Sequence, residues 1–138
     1  DLINYINQKQ LSEYFIFTGF TNVLAPFYGV SDICVLTSKN EGLPTVIIES
    51  QAAGIPVIST DVGGVRDLIE DAKTGLLSET ENPDMLADKI ELLSKNKELR
   101  KFISDNGYNQ ALSKYTTQKL VDNFSEFYKN LVTLKCGL

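Results

Sequence analysis

The sequence of 138 residues contains no histidine, no tryptophan and only two cysteines. Without histidine, the chain cannot build a Ser-His-Asp triad or the usual catalytic zinc site from its own side chains. Cys34 falls in a short apolar run that predicts a buried strand, and Cys136 falls in the tail. We therefore expect no disulfide framework, which fits a reducing cytosol.

Positive charge is also scarce, because 13 lysines and arginines face 18 acidic residues for a formal net charge of −5. This balance argues against a general nucleic-acid binder. No apolar run approaches the roughly 20 residues of a membrane span, and the first residues lack the features of a signal peptide. With 43% hydrophobic residues, the chain is expected to form one globular domain over residues 1–138.

The most informative stretch, residues 33–60, predicts a strand, a loop, a helix and a second strand. Residues 33–37 are a short apolar run that indicates a buried strand. Pro44 suits the first turn of a helix, where its missing N–H costs nothing, and Gly54 suits a left-handed cap. Residues 55–60 are again apolar. Strand, helix and strand in this order form one crossover unit of a parallel sheet, so the fold class is α/β.

Two carboxylates, Glu41 and Glu49, flank the start of this helix with seven residues between them. A helix rises about 1.5 Å per residue, so one extended ligand could touch both carboxylates. The amides of Leu43, Thr45 and Val46 are expected to point out of the helix tip, where the dipole favours a phosphate.

Each acidic residue also has an ordinary explanation. Glu41 could simply complement the helix dipole, and Glu49 could be a surface residue. The functional interpretation depends on the conjunction of their spacing with the turn of Gly42 and Pro44 and with the strand that follows. Gly42 has no side chain, so an anion could approach its backbone closely.

Residues 38–60, followed by residues 61–69 and 74–77, resemble the donor-binding domain of retaining glycosyltransferases of the GT-B fold, in the large family 4 group. The resemblance extends from about Phe15 to the C-terminus. It implies a Rossmann-like parallel sheet with helices on both faces, the C-terminal half-domain of such an enzyme. The matching motif residues are Ser38, Glu41, Gly42, Pro44, Glu49, Ala52 or Ala53, Gly54, Pro56 and Val57.

The resemblance also implies roles for individual residues. Glu41 is the expected catalytic residue at the donor sugar, and Glu49 should accept hydrogen bonds from the ribose hydroxyls. The loop of Gly63 and Gly64 should face the donor sugar or the cleft between domains. The full set expected to bind the nucleotide-sugar is Gly19, Phe20, Gly42, Leu43, Pro44, Thr45, Val46, Glu49, Gly63 and Gly64.

Some assignments stay open on the sequence alone. Phe20 lies in the loop that the resemblance places near the base. Its position in the sequence is equally compatible with an aromatic residue of the core or its rim. Arg66 could bind a phosphate or could be a solvated helix residue. No metal ligand is expected, since the resemblance implies a metal-independent reaction.

The remaining segments are predicted from periodicity and caps. A strand is expected at residues 14–17 and a short edge strand at residues 76–77. The helix over residues 97–115 is expected to be interrupted at Gly107. The last helix, over residues 117–131 or 132, is expected to pack back across the domain with its apolar stripe in the core. The resemblance leaves open that part of this stripe is an interface with the N-terminal domain. Other helices are expected at residues 2–9, 22–28, from Arg66, and from Pro83 with Asn82 as its cap.

The expected parent enzyme transfers a sugar from a UDP-, GDP- or ADP-sugar to a saccharide or lipid-linked acceptor with retention, as in polysaccharide assembly. The resemblance implies an N-terminal acceptor domain and a basic diphosphate-binding segment that these residues do not contain. We therefore expect the isolated chain to bind nucleotide weakly and not to turn over. A cytoplasmic location fits, with peripheral membrane association of the parent left open. The alternatives are a non-catalytic nucleotide-binding or docking module, a nucleotide-sugar 2-epimerase and a relative of starch or glycogen synthase.

Overall fold

A computed structural model of the protein describes residues 2–136, with side chains described as far as residue 133. Seven helices and three strands follow one another along this part of the chain, with one turn of 3-10 helix at Ser12–Tyr14. The elements are α1 (Leu2–Gln8), α2 (Ala25–Val30), β1 (Cys34–Leu36), α3 (Thr45–Ala52), β2 (Val57–Thr60), α4 (Val65–Leu68), β3 (Leu76–Ser78), α5 (Pro83–Lys95), α6 (Lys97–Lys114) and α7 (Thr117–Cys136).

The sheet is parallel and has the order β1-β2-β3. Val35 is level with Ile58 of β2, and Ser59 is level with Leu77 of β3. Every residue of β2 is buried, as a central parallel strand requires. The predicted crossover unit and the edge position of the last strand are thereby confirmed.

Two hydrophobic clusters form the core, one on each face of the sheet. On one face Val57 packs with Ile47 of α3 and Leu68 of α4. On the other face Ile58 packs with Leu93 of α5. Successive side chains of a strand point to opposite faces, so β2 contributes to both clusters, as does β3 through Leu76 and Leu77. The prediction of helices on both faces of a parallel sheet is therefore confirmed.

The prediction of a strand at residues 14–17 is wrong. Residues 15–17 belong to no strand in the described part of the chain. Ile16 is 90% exposed, and Phe15 stacks on Phe17 with ring centroids 6.5 Å apart. The apolar pattern alone does not make a strand, because a strand needs a neighbour to satisfy its backbone groups.

Gly107 does not interrupt α6, which continues through it to Lys114. The glycine is buried, and a β-carbon there would lie 3.1 Å from Gln51 Cγ and 3.3 Å from the carbonyl oxygen of Thr74. The missing side chain therefore serves close packing of α6 on α3 instead of ending the helix. The cap prediction at α5 is confirmed, because the Asn82 side chain accepts a hydrogen bond from the Met85 amide at 3.0 Å.

The prediction that the apolar stripe of α7 packs in the core is wrong. The stripe is exposed over the part of α7 whose side chains are described, from 39% for Leu131 to 61% for Tyr128. Amphipathic periodicity shows which face of a helix is apolar, but it does not show what covers that face. The remaining members of the stripe are Leu120, Phe124 and Phe127.

Cys34 is only half-buried, because β1 lies at an edge of the sheet, and its thiol is free. Cys136 lies outside the residues whose side chains are described. Within residues 2–136, no helix combines the length and the apolarity that a bilayer crossing would need.

Candidate functional site

Glu41 lies in the loop that leaves the carboxyl end of β1, where ligands bind in open parallel sheets. Its Oε1 accepts a hydrogen bond from Ser38 Oγ at 2.6 Å. The carbonyl oxygen of Ser38 in turn accepts from Thr60 Oγ1, at the end of β2, at 2.5 Å. Glu41 is half-buried. Two neighbouring strand ends thus hold this carboxylate at the edge of the sheet.

Gly63 and Gly64 lie directly against the backbone of the Glu41 loop. The Gly64 amide donates to the carbonyl oxygen of Gly42 at 2.9 Å. A β-carbon on Gly63 would lie 1.8 Å from the carbonyl oxygen of Glu41, and one on Gly64 would lie 2.2 Å from that of Gly42. Gly63 also has a φ of +51°, which disfavours any side chain. The glycine pair therefore supports the loop that carries Glu41.

The tip of α3 presents free backbone donors. Pro44 is buried and is the N-cap of the helix, which begins at Thr45. The position predicted for Pro44, in the first turn, is therefore one residue too far into the helix. The Ile47 amide donates back to the Pro44 carbonyl oxygen at 3.1 Å. Among the described residues, the amides of Leu43, Thr45 and Val46 have no hydrogen-bond acceptor. Pro44 has no N–H to offer, so it shapes the tip without binding through its backbone donor.

Glu49 lies one turn along α3 and is exposed. Its Oε2 accepts a hydrogen bond from the hydroxyl of Tyr28, on α2, at 2.7 Å. Burial and the neighbouring Glu49 carboxylate together raise the pKa of Tyr28 to about 12. Sequence analysis did not identify Tyr28, because its partner is 21 residues away and no local motif links them.

The remaining predicted residues lie in exposed positions. Phe20 is 92% exposed, so it is not a core aromatic, and Gly19 beside it has a φ of +65°. Their expected place near a base stays a prediction. Arg66 on α4 pairs with Asp61, and this hydrogen bond raises the pKa of the guanidinium. Arg66 is largely exposed, which favours the solvated alternative.

Comparison with known proteins identifies the family to which the chain belongs. The family model of glycosyl transferases group 1 matches residues 1–110. The chain belongs to this family.

Group 1 glycosyltransferases of known sequence and structure resemble the chain over most of its length. An uncharacterized glycosyltransferase of Methanocaldococcus jannaschii is 36% identical over 108 residues, which are 78% of this chain and 30% of that protein. The C-terminal domain of the group 1 protein LpcC from Francisella tularensis is 31% identical with a TM-score of 0.77, over 84% of this chain and 61% of that one.

HepE from Anabaena, solved in complex with UDP, has a TM-score of 0.88 at 22% identity, over 94% of this chain and 36% of that one. The fold is therefore that of the C-terminal half of a GT-B glycosyltransferase. The chain spans about a third of the length of the curated relatives it matches.

Proposed function

We propose that the site at the tip of α3 binds the nucleotide-diphosphate moiety of a nucleotide-sugar. The supporting observation is the set of three unpaired amides, Leu43, Thr45 and Val46, at the positive end of a helix. Glu41 and Glu49 lie on either side of these donors along the chain. A phosphate at the tip would place the sugar toward one carboxylate and the ribose toward the other.

In this proposal each group has a separate role. The amides hold the phosphates and stabilise the charge that develops on the leaving diphosphate, without a metal ion. Glu41 binds the hydroxyls of the donor sugar or stabilises positive charge in the transition state, and Glu49 accepts hydrogen bonds from the ribose. The complete enzyme would transfer the sugar with retention to a saccharide or lipid-linked acceptor that a further domain binds. UDP is the first nucleotide to consider, because HepE was solved with it.

A titration of the chain with UDP, GDP and ADP, followed through backbone amide shifts by NMR, tests this proposal. We expect shifts centred on residues 42–46, with weaker binding in Glu49→Ala. A matched control is Glu91→Ala, which removes the same charge from α5 on the other face of the sheet. If no nucleotide perturbs residues 42–46, the proposed site is wrong for this chain.

The main alternative is a non-catalytic nucleotide-binding or docking module. Such a protein would bind nucleotide but transfer no sugar, even when joined to the other domain of a full-length enzyme. An assay of sugar transfer with the full-length protein that contains this chain distinguishes the two.

A further inference from the structure

We propose that Tyr28 is a positioning residue for the donor, whose hydroxyl fixes the carboxylate of Glu49 for ribose recognition. The inference rests on the proposed role of Glu49 as the ribose ligand. It assigns the support of the Glu49 carboxylate to a residue on α2, outside the motif that carries Glu41 and Glu49.

The first observation is the geometry of the pair. The hydroxyl of Tyr28 donates to Glu49 Oε2 at 2.7 Å, a short distance typical of a hydrogen bond to an ionised acceptor. Glu49 is exposed, so nothing else of similar strength is expected to restrict the rotation of its long side chain. Tyr28 is half-buried, so its ring is less exposed to solvent than the Glu49 carboxylate it contacts.

The second observation is that the Tyr28 hydroxyl remains a donor. Burial and the Glu49 carboxylate raise the pKa of this phenol to about 12, so the proton is retained at neutral pH. The buried hydroxyl of Ser50 opposes this rise, although it makes no hydrogen bond of normal geometry within the described residues. The direction of the bond is therefore fixed: the phenol donates and the carboxylate accepts.

The consequence for a ligand follows from the capacity of a carboxylate, which offers about four lone-pair sites on two oxygens. Tyr28 occupies one site on Oε2. No other hydrogen bond to this carboxylate is formed within the described residues, so Oε1 and the second site of Oε2 can accept hydrogen bonds from two vicinal hydroxyls. The chemical class that fits is a ribonucleoside diphosphate with both ribose hydroxyls present.

The test compares UDP with 2′,3′-dideoxy-UDP in the native chain and in Tyr28→Phe, by NMR titration of the whole 138-residue chain. The native chain should prefer UDP. Tyr28→Phe should weaken UDP binding roughly three- to tenfold, as expected for loss of one hydrogen bond that positions a ligand. The same substitution should leave binding of the dideoxy analogue unchanged, because that analogue has no hydroxyls for Glu49 to accept.

Controls separate this role from a structural one. Tyr108→Phe removes a phenolic hydroxyl from α6 and should change neither affinity. In the Glu49→Ala background, Tyr28→Phe should have no further effect on UDP binding. If Tyr28→Phe discriminates between the two nucleotides as strongly as the native chain does, the inference is wrong but the proposed function stands. Equal binding of both nucleotides by the native chain overturns the proposed role of Glu49 itself.

Discussion

At the residue scale, the position of Glu41 depends on two glycines, Gly63 and Gly64, which have no side chains. The backbones of Gly63 and Gly64 approach the loop of Glu41 and Gly42 so closely that no β-carbon fits between them. A hydrogen bond from Ser38 to the Glu41 carboxylate completes the support. The Glu41 loop is thus supported by backbone contact with the two glycines and by the hydroxyl of Ser38.

We predict that Gly63→Ala lowers the free energy of unfolding by at least about 2 kcal/mol, because it adds a clash to a left-handed backbone conformation. Urea denaturation measures the change. Gly29→Ala is the matched control, since a β-carbon there meets nothing within 4 Å. A helical glycine replaced by alanine should stabilise α2 slightly, by about 0.5 kcal/mol. Equal stability of Gly63→Ala and the native chain would contradict the packing described.

Tyr28 predicts a pH dependence of stability. Its pKa is about 12 in the folded protein against 10.0 ordinarily. A raised pKa means that the contribution is complete below about pH 10 and is lost as the pH rises toward 12. Tyr28 is partly exposed, so solvent screening reduces the nominal effect of this pKa difference. The advantage of the native chain over Tyr28→Phe in unfolding free energy should therefore shrink by roughly 1–2 kcal/mol between about pH 9 and pH 12. A difference that does not vary with pH would show that the phenol titrates normally.

The carboxylate of Glu41 is expected to affect sugar transfer more than nucleotide binding. In a full-length enzyme that contains this chain, Glu41→Gln should lower sugar transfer by about 10²–10³-fold, because the role proposed for Glu41 at the transition state needs the carboxylate charge. Nucleotide affinity should change little, since the proposed contacts to the diphosphate are backbone amides. Steady-state kinetics and a parallel nucleotide titration measure both quantities. Equal loss of affinity and turnover would mean that Glu41 acts in binding instead.

At the element scale, α3 is joined to its surroundings through one buried side chain. Gln51 is 1% exposed. Its Nε2 donates to the carbonyl oxygen of Leu68, at the end of α4, at 3.1 Å and to that of Thr74, before β3, at 3.2 Å. Gly107 of α6 packs against the same side chain. The helix that carries the candidate site is therefore fixed at its far end by three other segments.

We predict that Gln51→Leu lowers the free energy of unfolding by about 1–2 kcal/mol, because the Thr74 carbonyl oxygen loses the donor that Gln51 provides. Two features limit the cost. The Leu68 carbonyl oxygen keeps a second donor, Gln110 Nε2 at 2.6 Å, and the substitution removes Gln51 Oε1, a buried acceptor with no partner among the described residues. Gln118→Leu, at an exposed position of α7, should change stability by less than about 0.5 kcal/mol. Chemical denaturation of both variants decides; equal stabilities would contradict the connection.

At the scale of the whole molecule, the core and the apolar surface are separate. Leu93 is completely buried, whereas Phe124 on α7 is 54% exposed. Leu93→Ala should therefore cost about 2–5 kcal/mol of unfolding free energy and Phe124→Ala less than about 0.5 kcal/mol. Thermal and chemical unfolding measure both. A large loss in Phe124→Ala would show that α7 is packed in solution.

Sequence reasoning succeeded where local chemistry determines the structure. The strand, helix and strand around Glu49 follow from apolar runs, and the start of α5 follows from Asn82 and Pro83. It failed where the outcome depends on distant neighbours. Residues 14–17 have the pattern of a strand without a pairing strand, and Gly107 is a packing site that resembles a break. Tyr28 was missed for the same reason, since its hydrogen-bond partner Glu49 is 21 residues away in the sequence.

The contact between the two glycines and the Glu41 loop has a consequence for protein engineering. The loop after β1 and the loop after β2 are joined by the hydrogen bond from the Gly64 amide to the Gly42 carbonyl oxygen. The two loops therefore form one structural unit. A chimera could import residues 38–46 from a relative in order to change the donor. The imported loop would then pack against a Gly63–Gly64 loop with which its backbone is not complementary. Residues 60–65 have to be exchanged in the same step.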